Sequence, residues 1–377
     1  MAPDTTTWLT TGTAFYASMT AAIDAARQAV RLETYIYTPG VPGDAIREAL
    51  TQAARRGVAV RVLIDGFGSS ALPHDYWDVL RLAGGEVRVF NPLRWFCLAC
   101  RDHRKLLVCD HRMAFVGGFN VSSEEYGDGV RQGWRDLGLR CEGPLAADLA
   151  ASFDRLYERA ELRPKRLPRL RLPAFLRRGH GADDGQPQLL ESGPTGTATP
   201  IKGALKRDLR EARDVAVVSA YFLPTWRLRQ QLARIASRGG NVQLVTAGKS
   251  DVPTARRAGR TLYHKLLHAG VRIFEYQAQV LHTKLLIIDD IVYVGSANLD
   301  SRSLNINYEL LVRLRSPHLA REARAIFADH LVHSRAIEHD DWARSRSLWE
   351  KFRERLAYYL LARVDPFIAR RQLRRLR

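Results

Sequence analysis

The stretch that decides the fold of this chain is HRKLLVCD, residues 103–110, which recurs as HTKLLIID at residues 282–289. Both copies fit the pattern H-x-K-x-x-x-x-D, for which a chance match is expected on the order of a few hundredths of a time per chain. Each copy leads into a second short motif, Gly117-Gly118-Phe119-Asn120 in the first half and Gly295-Ser296-Ala297-Asn298 in the second. Two copies in the same order predict an internal duplication.

The segments around the two motifs also repeat. Apolar periodicity and glycine stops predict one order for each half: helix, strand, helix, strand, helix, strand and then the motif. The predicted segments are residues 14–30, 30–37, 44–56, 58–64, 76–82 and 86–90 in the first half, and 201–213, 215–222, 226–238, 241–246, 262–268 and 271–276 in the second. This order predicts the α/β class, as two similar α/β/α lobes, each with a mixed, mostly parallel sheet, related by a pseudo-twofold axis and sharing one active site.

Composition divides the chain into four parts. The lobes are predicted at residues 8–160 and 200–335, and residues 161–199, rich in Pro, Gly and Arg, are predicted to be a basic linker. Residues 340–377 form a tail that interleaves arginines with large apolar side chains. This pattern is typical of a basic amphipathic helix, which either lies on an anionic membrane or packs its apolar side on the protein core.

The net charge of the chain points to a polyanionic partner. With 58 Lys and Arg against 40 Asp and Glu, the formal net charge is +18, which suits nucleic acid or an anionic lipid surface, with a basic solvated face as the alternative. Only eight of the basic residues are lysine. If Arg and Lys were interchangeable, finding Lys at both motif positions would have a probability of about 0.02. The motif therefore favours the compact ammonium of Lys105 and Lys284.

Cysteine content and hydropathy restrict the setting of the protein. Four cysteines in 377 residues do not make a disulfide framework. Cys97-Leu98-Ala99-Cys100 lacks the second pair that a zinc site needs, which favours a buried or lipid-facing loop over a metal or redox site. We expect no secretory signal in residues 1–13 and no apolar run of the roughly 20 residues that cross a bilayer, so that membrane contact is peripheral.

The residue types of the motifs suit chemistry at a phosphodiester. On a strand, residues two apart share a face, so the His and Lys of each copy are expected to project together. One histidine can attack phosphorus while the other protonates the leaving oxygen. We expect no metal and no cofactor, because no acid cluster accompanies the motifs. The side chains expected to bind the phosphate oxygens and stabilise the transition state are Lys105, Lys284, Asn120 and Asn298.

Two carboxylates are candidates for fixing the tautomers of the histidines. Asp136 and Glu309 occupy roughly matching places after the two motifs. We expect Asp136 to orient His103 and Glu309 to orient His282, with surface salt bridging as the alternative.

These residues resemble the phospholipase D superfamily, whose members pair two such motifs in one site. The chain is similar to bacterial cardiolipin synthases of the shorter type, without N-terminal spans, in the stretches LETYI (32–36), AARRGV (53–58), GGFN (117–120) and GSANLDSRS (295–303). The resemblance implies a metal-independent reaction that joins two phosphatidylglycerols into cardiolipin and releases glycerol. The catalytic motif positions that it implies are His103, Lys105, Asp110, His282, Lys284 and Asp289.

The roles within the motif are not equal. In that family the N-terminal histidine is commonly the nucleophile, which implies that His103 attacks and His282 is the acid. Asp110 and Asp289 fall in predicted hairpin turns, which favours support of the strand over direct catalysis.

Three activities share such a site: a phosphatidyltransferase that makes cardiolipin, a phospholipid hydrolase, and a phosphodiesterase acting on nucleic acid. Trp95, Phe96, Leu98 and the amphipathic tail favour lipid, since a nuclease interleaves aromatic residues with a basic groove. We therefore expect phospholipid substrates and an anionic phospholipid membrane as partners, at the cytoplasmic face of a bacterial cell membrane, and not nucleic acid. The motifs do not encode the acceptor lipid, phosphatidylglycerol or phosphatidylethanolamine, or the oligomeric state.

Overall fold

A computed structural model of the chain describes residues 5–92, 100–160, 185–194, 199–344 and 346–375. The predicted loop residues Trp95, Phe96, Cys97 and Leu98 and residues 161–184 of the predicted linker lie outside this part of the chain. Of the predicted C-x-x-C pair, Cys100 is described, and its side chain is buried as a free thiol. In the described ranges, no helix is both long enough and apolar enough to span a bilayer.

The first half of the chain forms one sheet with four helices and a short 3-10 turn. Its elements are β1 (Thr5–Leu9), α1 (Gly12–Ala25), β2 (Ala29–Thr34), α2 (Val41–Arg55), β3 (Ala59–Asp65), α3 (Asp78–Leu82), β4 (Glu86–Phe90), β5 (Leu106–Cys109), β6 (Met113–Gly117), the 3-10 turn Ser123–Glu125, β7 (Gly138–Glu142) and α4 (Pro144–Ala160).

The second half repeats this plan and adds further elements. Its elements are β8 (Gln188–Ser192), α5 (Pro200–Asp208), β9 (Asp214–Ser219), α6 (Trp226–Ser237), β10 (Asn241–Lys249), α7 (Pro253–Arg260), α8 (Tyr263–His268), β11 (Arg272–Val280), β12 (Lys284–Ile288), β13 (Ile291–Gly295), α9 (Ser301–Asn305), β14 (Glu309–Arg315), α10 (Pro317–Val332), β15 (Ser334–Ile337), α11 (His339–Arg344), α12 (Leu348–Tyr359), a π-helical turn (Leu360–Val364) and α13 (Asp365–Arg375).

The two sheets have the same strand order. The first runs β1-β7-β6-β5-β2-β3-β4, and the second runs β8-β14-β13-β12-β9-β10-β11 with β15 added at its edge. The predicted α/β fold of two similar lobes with mixed sheets is confirmed. Parallel pairing is confined to β2-β3-β4 and β9-β10-β11, however, so the expectation of mostly parallel sheets is wrong. The motif strands return through tight turns, and such short connections require antiparallel neighbours.

The side-chain alternation of the motif strands holds the two lobes together. In β5, Leu106 and Val108 face a core that is shared by both sheets, whereas Leu107 faces the helices of its own lobe. In β12, Leu285 faces the shared core and Leu286 faces its own helices. Because successive strand residues point to opposite faces, each apolar motif strand is buried on both sides.

Local sequence signals mark the starts of helices α1, α5, α6, α10 and α12. The side chains of Thr11, Thr199, Thr225, Ser316 and Ser347 each accept a hydrogen bond from the backbone N–H three residues further on. Such caps satisfy a donor that the first helical turn would leave without a partner, and each stabilises its helix by about 1 kcal/mol.

The structure corrects three boundaries. Residues 188–192 of the predicted linker form β8, which pairs with β14 as β1 pairs with β7, so the second repeat begins before residue 200. The edge strand β15 extends the second lobe to Ile337. The motif strands begin at Leu106 and Lys284, so both histidines precede their strands instead of starting them. Helices α4 and α10 were not predicted.

Candidate active site

Just before each motif histidine, the backbone pairs with the opposite half of the chain. Asp102 forms a parallel β-bridge with Tyr308, and Leu281 forms one with Arg135. The next backbone N–H continues the pairing in each case: His103 N donates to the carbonyl of Tyr308 at 3.0 Å, and His282 N donates to the carbonyl of Arg135 at 2.8 Å. Main-chain hydrogen bonds therefore fix each histidine to the other lobe.

The orienting carboxylates are crossed between the lobes. Nδ1 of His103 lies 3.1 Å from Oε2 of Glu309, and Nδ1 of His282 lies 2.6 Å from Oδ2 of Asp136. The expectation that each carboxylate serves the histidine of its own half is therefore wrong. Both carboxylates are fully buried or nearly so, which also excludes the surface salt-bridge alternative.

The cross-lobe bridges explain this exchange. Glu309 directly follows Tyr308, and Asp136 directly follows Arg135, so each carboxylate is the next residue after a bridging position. Each histidine is likewise the next residue after its own bridging position, because His103 follows Asp102 and His282 follows Leu281. Pairing of the backbones in register therefore places a histidine of one lobe beside a carboxylate of the other.

The two motif lysines share the same buried site. Nζ of Lys105 donates to the carbonyl of His103 at 2.7 Å, and Nζ of Lys284 donates to the carbonyl of His282. Nζ of Lys284 also lies 3.6 Å from Oδ2 of Asp136. Burial, together with the charge of Lys284, lowers the pKa of Lys105 to about 8, and burial lowers the pKa of Lys284. The expected meeting of both His-Lys pairs is found.

His103 is held in its neutral form. Burial and the neighbouring positive charges of Lys105, Lys284 and His282 keep the pKa of His103 well below its usual value. Its carboxylate partner is also affected, because burial raises the pKa of Glu309 to about 8. A neutral imidazole that retains some exposure, 12% of its side chain, suits a nucleophile.

A glycine and a serine at equivalent positions support the two carboxylates. A Cβ atom at Gly118 would lie 2.1 Å from Oδ1 of Asp136, so the carboxylate occupies the space that any side chain there would need. The equivalent residue of the second half, Ser296, donates from Oγ to Oε2 of Glu309 at 2.6 Å. Gly118 and Ser296 therefore hold the two carboxylates in position.

The two motif asparagines differ in what they contact. Oδ1 of Asn120 accepts from the backbone N–H of Ile36 at 3.1 Å, and its Nδ2 donates to Glu125 at 2.6 Å. Oδ1 of the buried Asn298, in contrast, has no hydrogen-bond partner in the described part of the chain. The Asn120 amide is therefore engaged at both ends and mainly holds a neighbouring carboxylate, whereas Oδ1 of Asn298 is engaged by no described group.

That carboxylate, Glu125, is a site residue that the sequence reasoning missed. It is fully buried, accepts from the backbone and side chain of Asn120, and lies 3.8 Å from Nδ1 of His282. Burial raises the pKa of Glu125. The comparison of repeats could not reveal it, because Ser303 stands at the equivalent position of the second half.

Glu125 also changes the expectation about acids in the site. Ligand atoms of Glu125, Asp136 and His282 lie within 4.8 Å of one another, so the expectation that no acid cluster accompanies the motifs is wrong. These atoms are already engaged by other protein groups. Glu125 accepts from Asn120, and Asp136 accepts from the backbone N–H of Leu137 and faces His282.

The motif aspartates lie at the far ends of the motif strands from the histidines. Asp110 accepts from three backbone N–H groups, those of Arg27, Gln28 and Ala29, at 2.7–2.9 Å. Asp289 accepts in the same way from the backbone N–H groups of Arg213, just before β9, and of Asp214, the first residue of β9. Both have left-handed backbone angles, with φ of 52° and 49°. The structure does not bring them to the site, so of the positions implied by the resemblance it brings together only the two His-Lys pairs.

The comparisons with known proteins agree with this geometry. The family described as "Cardiolipin synthase, PLD-like domain" matches residues 19–157 and 205–331, one match in each lobe. Cardiolipin synthase B of Salmonella typhi is 32% identical over 374 residues, which cover 96% of this chain and 88% of that protein. Cardiolipin synthase 1 of Bacillus anthracis is 31% identical, covering 89% of this chain and 68% of that protein.

A solved structure shares the whole fold. Phosphatidylserine synthase of Haemophilus influenzae superimposes with a TM-score of 0.71 at 15% identity, covering 97% of this chain and 95% of that one. The resemblance inferred from the two motifs is confirmed. The chain therefore belongs to the cardiolipin synthase family, enzymes with a phospholipase D-like fold that transfer phosphatidyl groups.

Proposed function

We propose that this enzyme joins two phosphatidylglycerols into cardiolipin and releases glycerol, through a phosphohistidine intermediate on His103. The observation that carries the proposal is the crossed pairing of His103 with Glu309 and of His282 with Asp136 in one buried site. Each carboxylate fixes Nδ1 of its ring, which leaves the opposite ring nitrogen, Nε2, for chemistry.

In the first step, Nε2 of His103 attacks the phosphorus of one phosphatidylglycerol. The bond between phosphorus and the glycerol headgroup oxygen breaks, and that oxygen takes the proton of protonated His282. Glycerol leaves, and the phosphatidyl group stays on His103. The depressed pKa of His103 supports this role, because a nucleophilic imidazole must be unprotonated.

The second step reverses the roles of acid and base. His282, now neutral, accepts the proton of a headgroup hydroxyl from the second phosphatidylglycerol. The oxygen attacks phosphorus, the phosphorus–nitrogen bond to His103 breaks, and cardiolipin is released. His282 ends the cycle protonated, so protons balance over the two steps. The two carboxylates within 3.8 Å of Nδ1 of His282, Asp136 and Glu125, can accept the Nδ1 proton, which leaves Nε2 to exchange protons with the substrate.

Lysines and an asparagine stabilise the phosphorane-like transition state. Lys105 and Lys284 supply two ammonium groups in a buried site, where charge is stabilised more strongly than in water. Asn298 contributes a buried amide at the equivalent position of the second motif, and its Nδ2 can donate to a non-bridging oxygen.

An anionic phospholipid membrane is the proposed second partner, with the enzyme bound peripherally at the cytoplasmic face. Phospholipid substrates follow from the family. The membrane surface is supported by the formal net charge of +18, which is attracted to anionic headgroups within about 10 Å of the surface.

Product analysis tests the transferase. Purified protein incubated with phosphatidylglycerol vesicles should give cardiolipin and glycerol in equal amounts, and the His103→Ala and His282→Ala variants should give neither. Phosphatidic acid as the sole product would instead establish a hydrolase. A trapped phosphoenzyme should be absent in His103→Ala, and one that survives His103→Ala but is lost in His282→Ala would reverse the two roles.

A further inference from the structure

The tail helix exposes an unusual amount of apolar surface. In the described part of the chain, fifteen large hydrophobic side chains are exposed, and eight of them lie between residues 348 and 368. Leu348 is 85% exposed and Trp349 is 64% exposed. The outer tail face is defined here as the six exposed side chains of α12 and the start of the turn that follows it: Leu348, Trp349, Phe352, Leu356, Tyr359 and Leu360.

The opposite side of α12 is packed on the protein. Ala357 is buried against Leu223 and Ala258 of the second lobe, with Tyr358 and Leu361 beside them. The buried carboxylate of Glu354, one turn earlier, pairs with Arg346 and Arg260. One side of α12 therefore packs on the second lobe, and the outer tail face on the other side of the helix is exposed.

The outer tail face follows helical spacing. Trp349, Phe352, Leu356 and Leu360 are three or four residues apart, so they lie along one side of α12. The exposed arginines Arg353 and Arg355 flank that side on its two edges. An apolar stripe bordered by arginines complements the acyl and phosphate layers of an anionic bilayer.

An ion pair connects the tail to helix α9, which closely follows Asn298 in the chain. Asp365, at the start of α13, forms a two-point ion pair with Arg302 at 2.6 and 2.9 Å. Arg302 lies in α9, four residues after Asn298. Trp226, 61% exposed at the start of α6, follows Leu223 by three residues and so lies near the inner contact of the tail. The start of α13, which follows the outer tail face in the chain, is thus held against the segment that supplies Asn298.

We propose that the outer tail face inserts into the headgroup and upper acyl region of an anionic phospholipid bilayer, and that the ion pair between Arg302 and Asp365 keeps the active site beside that surface. This inference rests on the membrane partner proposed above. It assigns the docking surface to α12 and the following turn. Substrate headgroups then pass from the bilayer to the site without the lipid leaving the membrane.

Vesicle sedimentation of the full-length protein tests the docking surface. The tested variant carries Trp349→Gln, Phe352→Gln and Leu356→Gln together. The matched control carries Leu82→Gln and Val332→Gln, which replace side chains that are 89% and 77% exposed elsewhere. Vesicles of phosphatidylcholine alone are compared with vesicles that also contain phosphatidylglycerol, at low and high salt.

The tail variant is expected to bind phosphatidylglycerol vesicles at least about tenfold more weakly than wild type, because three apolar side chains no longer enter the bilayer. The control variant should bind as wild type does, and salt should weaken wild-type binding. Turnover of short-chain phosphatidylglycerol below its micelle concentration should be the same in all three proteins. That result also shows that the tail variant is folded.

Two outcomes would overturn the inference. One is undiminished vesicle binding by the tail variant. The other is a wild-type dimer that the tail substitutions convert to a monomer while vesicle binding is unchanged, which would make the face a contact between copies of this chain. Vesicle binding is measured without turnover, so inactivity of wild type toward every phosphatidylglycerol would contradict the proposed function and leave the docking result to stand separately.

Discussion

Glu309 and His103 are 206 residues apart in the chain, and their side chains meet at 3.1 Å across the interface of the two lobes. Asp136 and His282 form the reciprocal contact at 2.6 Å. Neither lobe alone contains a complete pair of an imidazole and its orienting carboxylate. The active site therefore exists only when the two halves of the duplication pack together.

The crossed pairing predicts which carboxylate supports which chemical step. With Asp136→Asn, we expect transfer from phosphatidylglycerol to slow by about a hundredfold to ten-thousandfold, because His282 loses the carboxylate that orients its ring for proton transfer. A phosphatidyl ester of p-nitrophenol needs no proton on its leaving group. The burst of p-nitrophenol from that ester should remain near wild type in Asp136→Asn and fall in Glu309→Gln.

The same two variants test the opposite assignment. If Glu309→Gln spares the burst and Asp136→Asn abolishes it, then His282 is the nucleophile. His103→Ala and His282→Ala provide the matched controls, since each should reproduce the behaviour of its partner carboxylate variant.

Gly118 is expected to be intolerant of any side chain. Gly118→Ala places a methyl group on the carboxylate of Asp136, so activity should fall to the level of Asp136→Asn, with a loss of about 1–3 kcal/mol in the free energy of unfolding. Gly203→Ala is the control, because no atom lies within 4 Å of its added Cβ. Denaturant unfolding and kcat measured on the same samples separate the two effects. Full activity in Gly118→Ala would show that a glycine at this position is not needed to place the carboxylate of Asp136.

The lowered pKa of Lys105 predicts a basic limit to activity. Lys105 is charged below pH 8 and neutral above it, so kcat/KM should fall as the pH rises past about 8. On the acid side, His103 stays neutral well below its usual pKa, so activity should persist below pH 6.5. In Lys105→Arg the charge no longer titrates, and the basic limb should move or flatten. An unchanged profile in that variant would assign the limb to Glu309, whose pKa is also about 8.

Asp110 should matter for stability more than for chemistry. Asp110→Asn keeps a residue that tolerates the left-handed backbone but removes the charge that accepts three backbone N–H groups, so we expect the free energy of unfolding to fall by about 1–3 kcal/mol. Activity per folded molecule should stay within an order of magnitude of wild type. A complete loss of activity in well-folded protein would restore a direct catalytic role.

The pH dependence of this stability difference has a defined sign. Partial burial opposes ionisation of Asp110, but the backbone donors outweigh it and hold its pKa below the usual value. The stabilisation is therefore present at neutral pH and is lost as the pH falls through the lowered pKa. The difference in Tm between wild type and Asp110→Asn should shrink in acid.

A chelator tests whether the group formed by Glu125, Asp136 and His282 binds a metal. We expect full activity in excess EDTA, because protein donors already engage these carboxylates. Loss of activity that a divalent cation restores, together with loss of that response in Glu125→Gln, would establish a metal site. With EDTA present, Glu125→Gln should still lower activity, since a charge beside His282 is removed.

Periodicity and the repeated motif were sufficient for much of the fold. They predicted the α/β class, the duplication and the positions of the inner strands. These features could be predicted because the apolar pattern of a buried strand and the glycine that ends a helix are both contained within one short segment of sequence. They missed the antiparallel character of most strand pairs and the strand β8, which is set by pairing with β14 across a gap in sequence. Which strands pair with each other depends on tertiary packing and cannot be predicted from the sequence of one strand alone.

The sequence by itself determined which residues are the candidates for the chemistry: His103, Lys105, His282 and Lys284 were identifiable from the spacing of the motif, and the two lysines also from the rarity of lysine. Only the tertiary structure decided how they are paired. The carboxylate of each histidine comes from the other lobe, because backbone bridges at the lobe interface put residues of distant sequence in register. Glu125 was invisible for the same reason, since its function depends on a histidine in the opposite half of the chain.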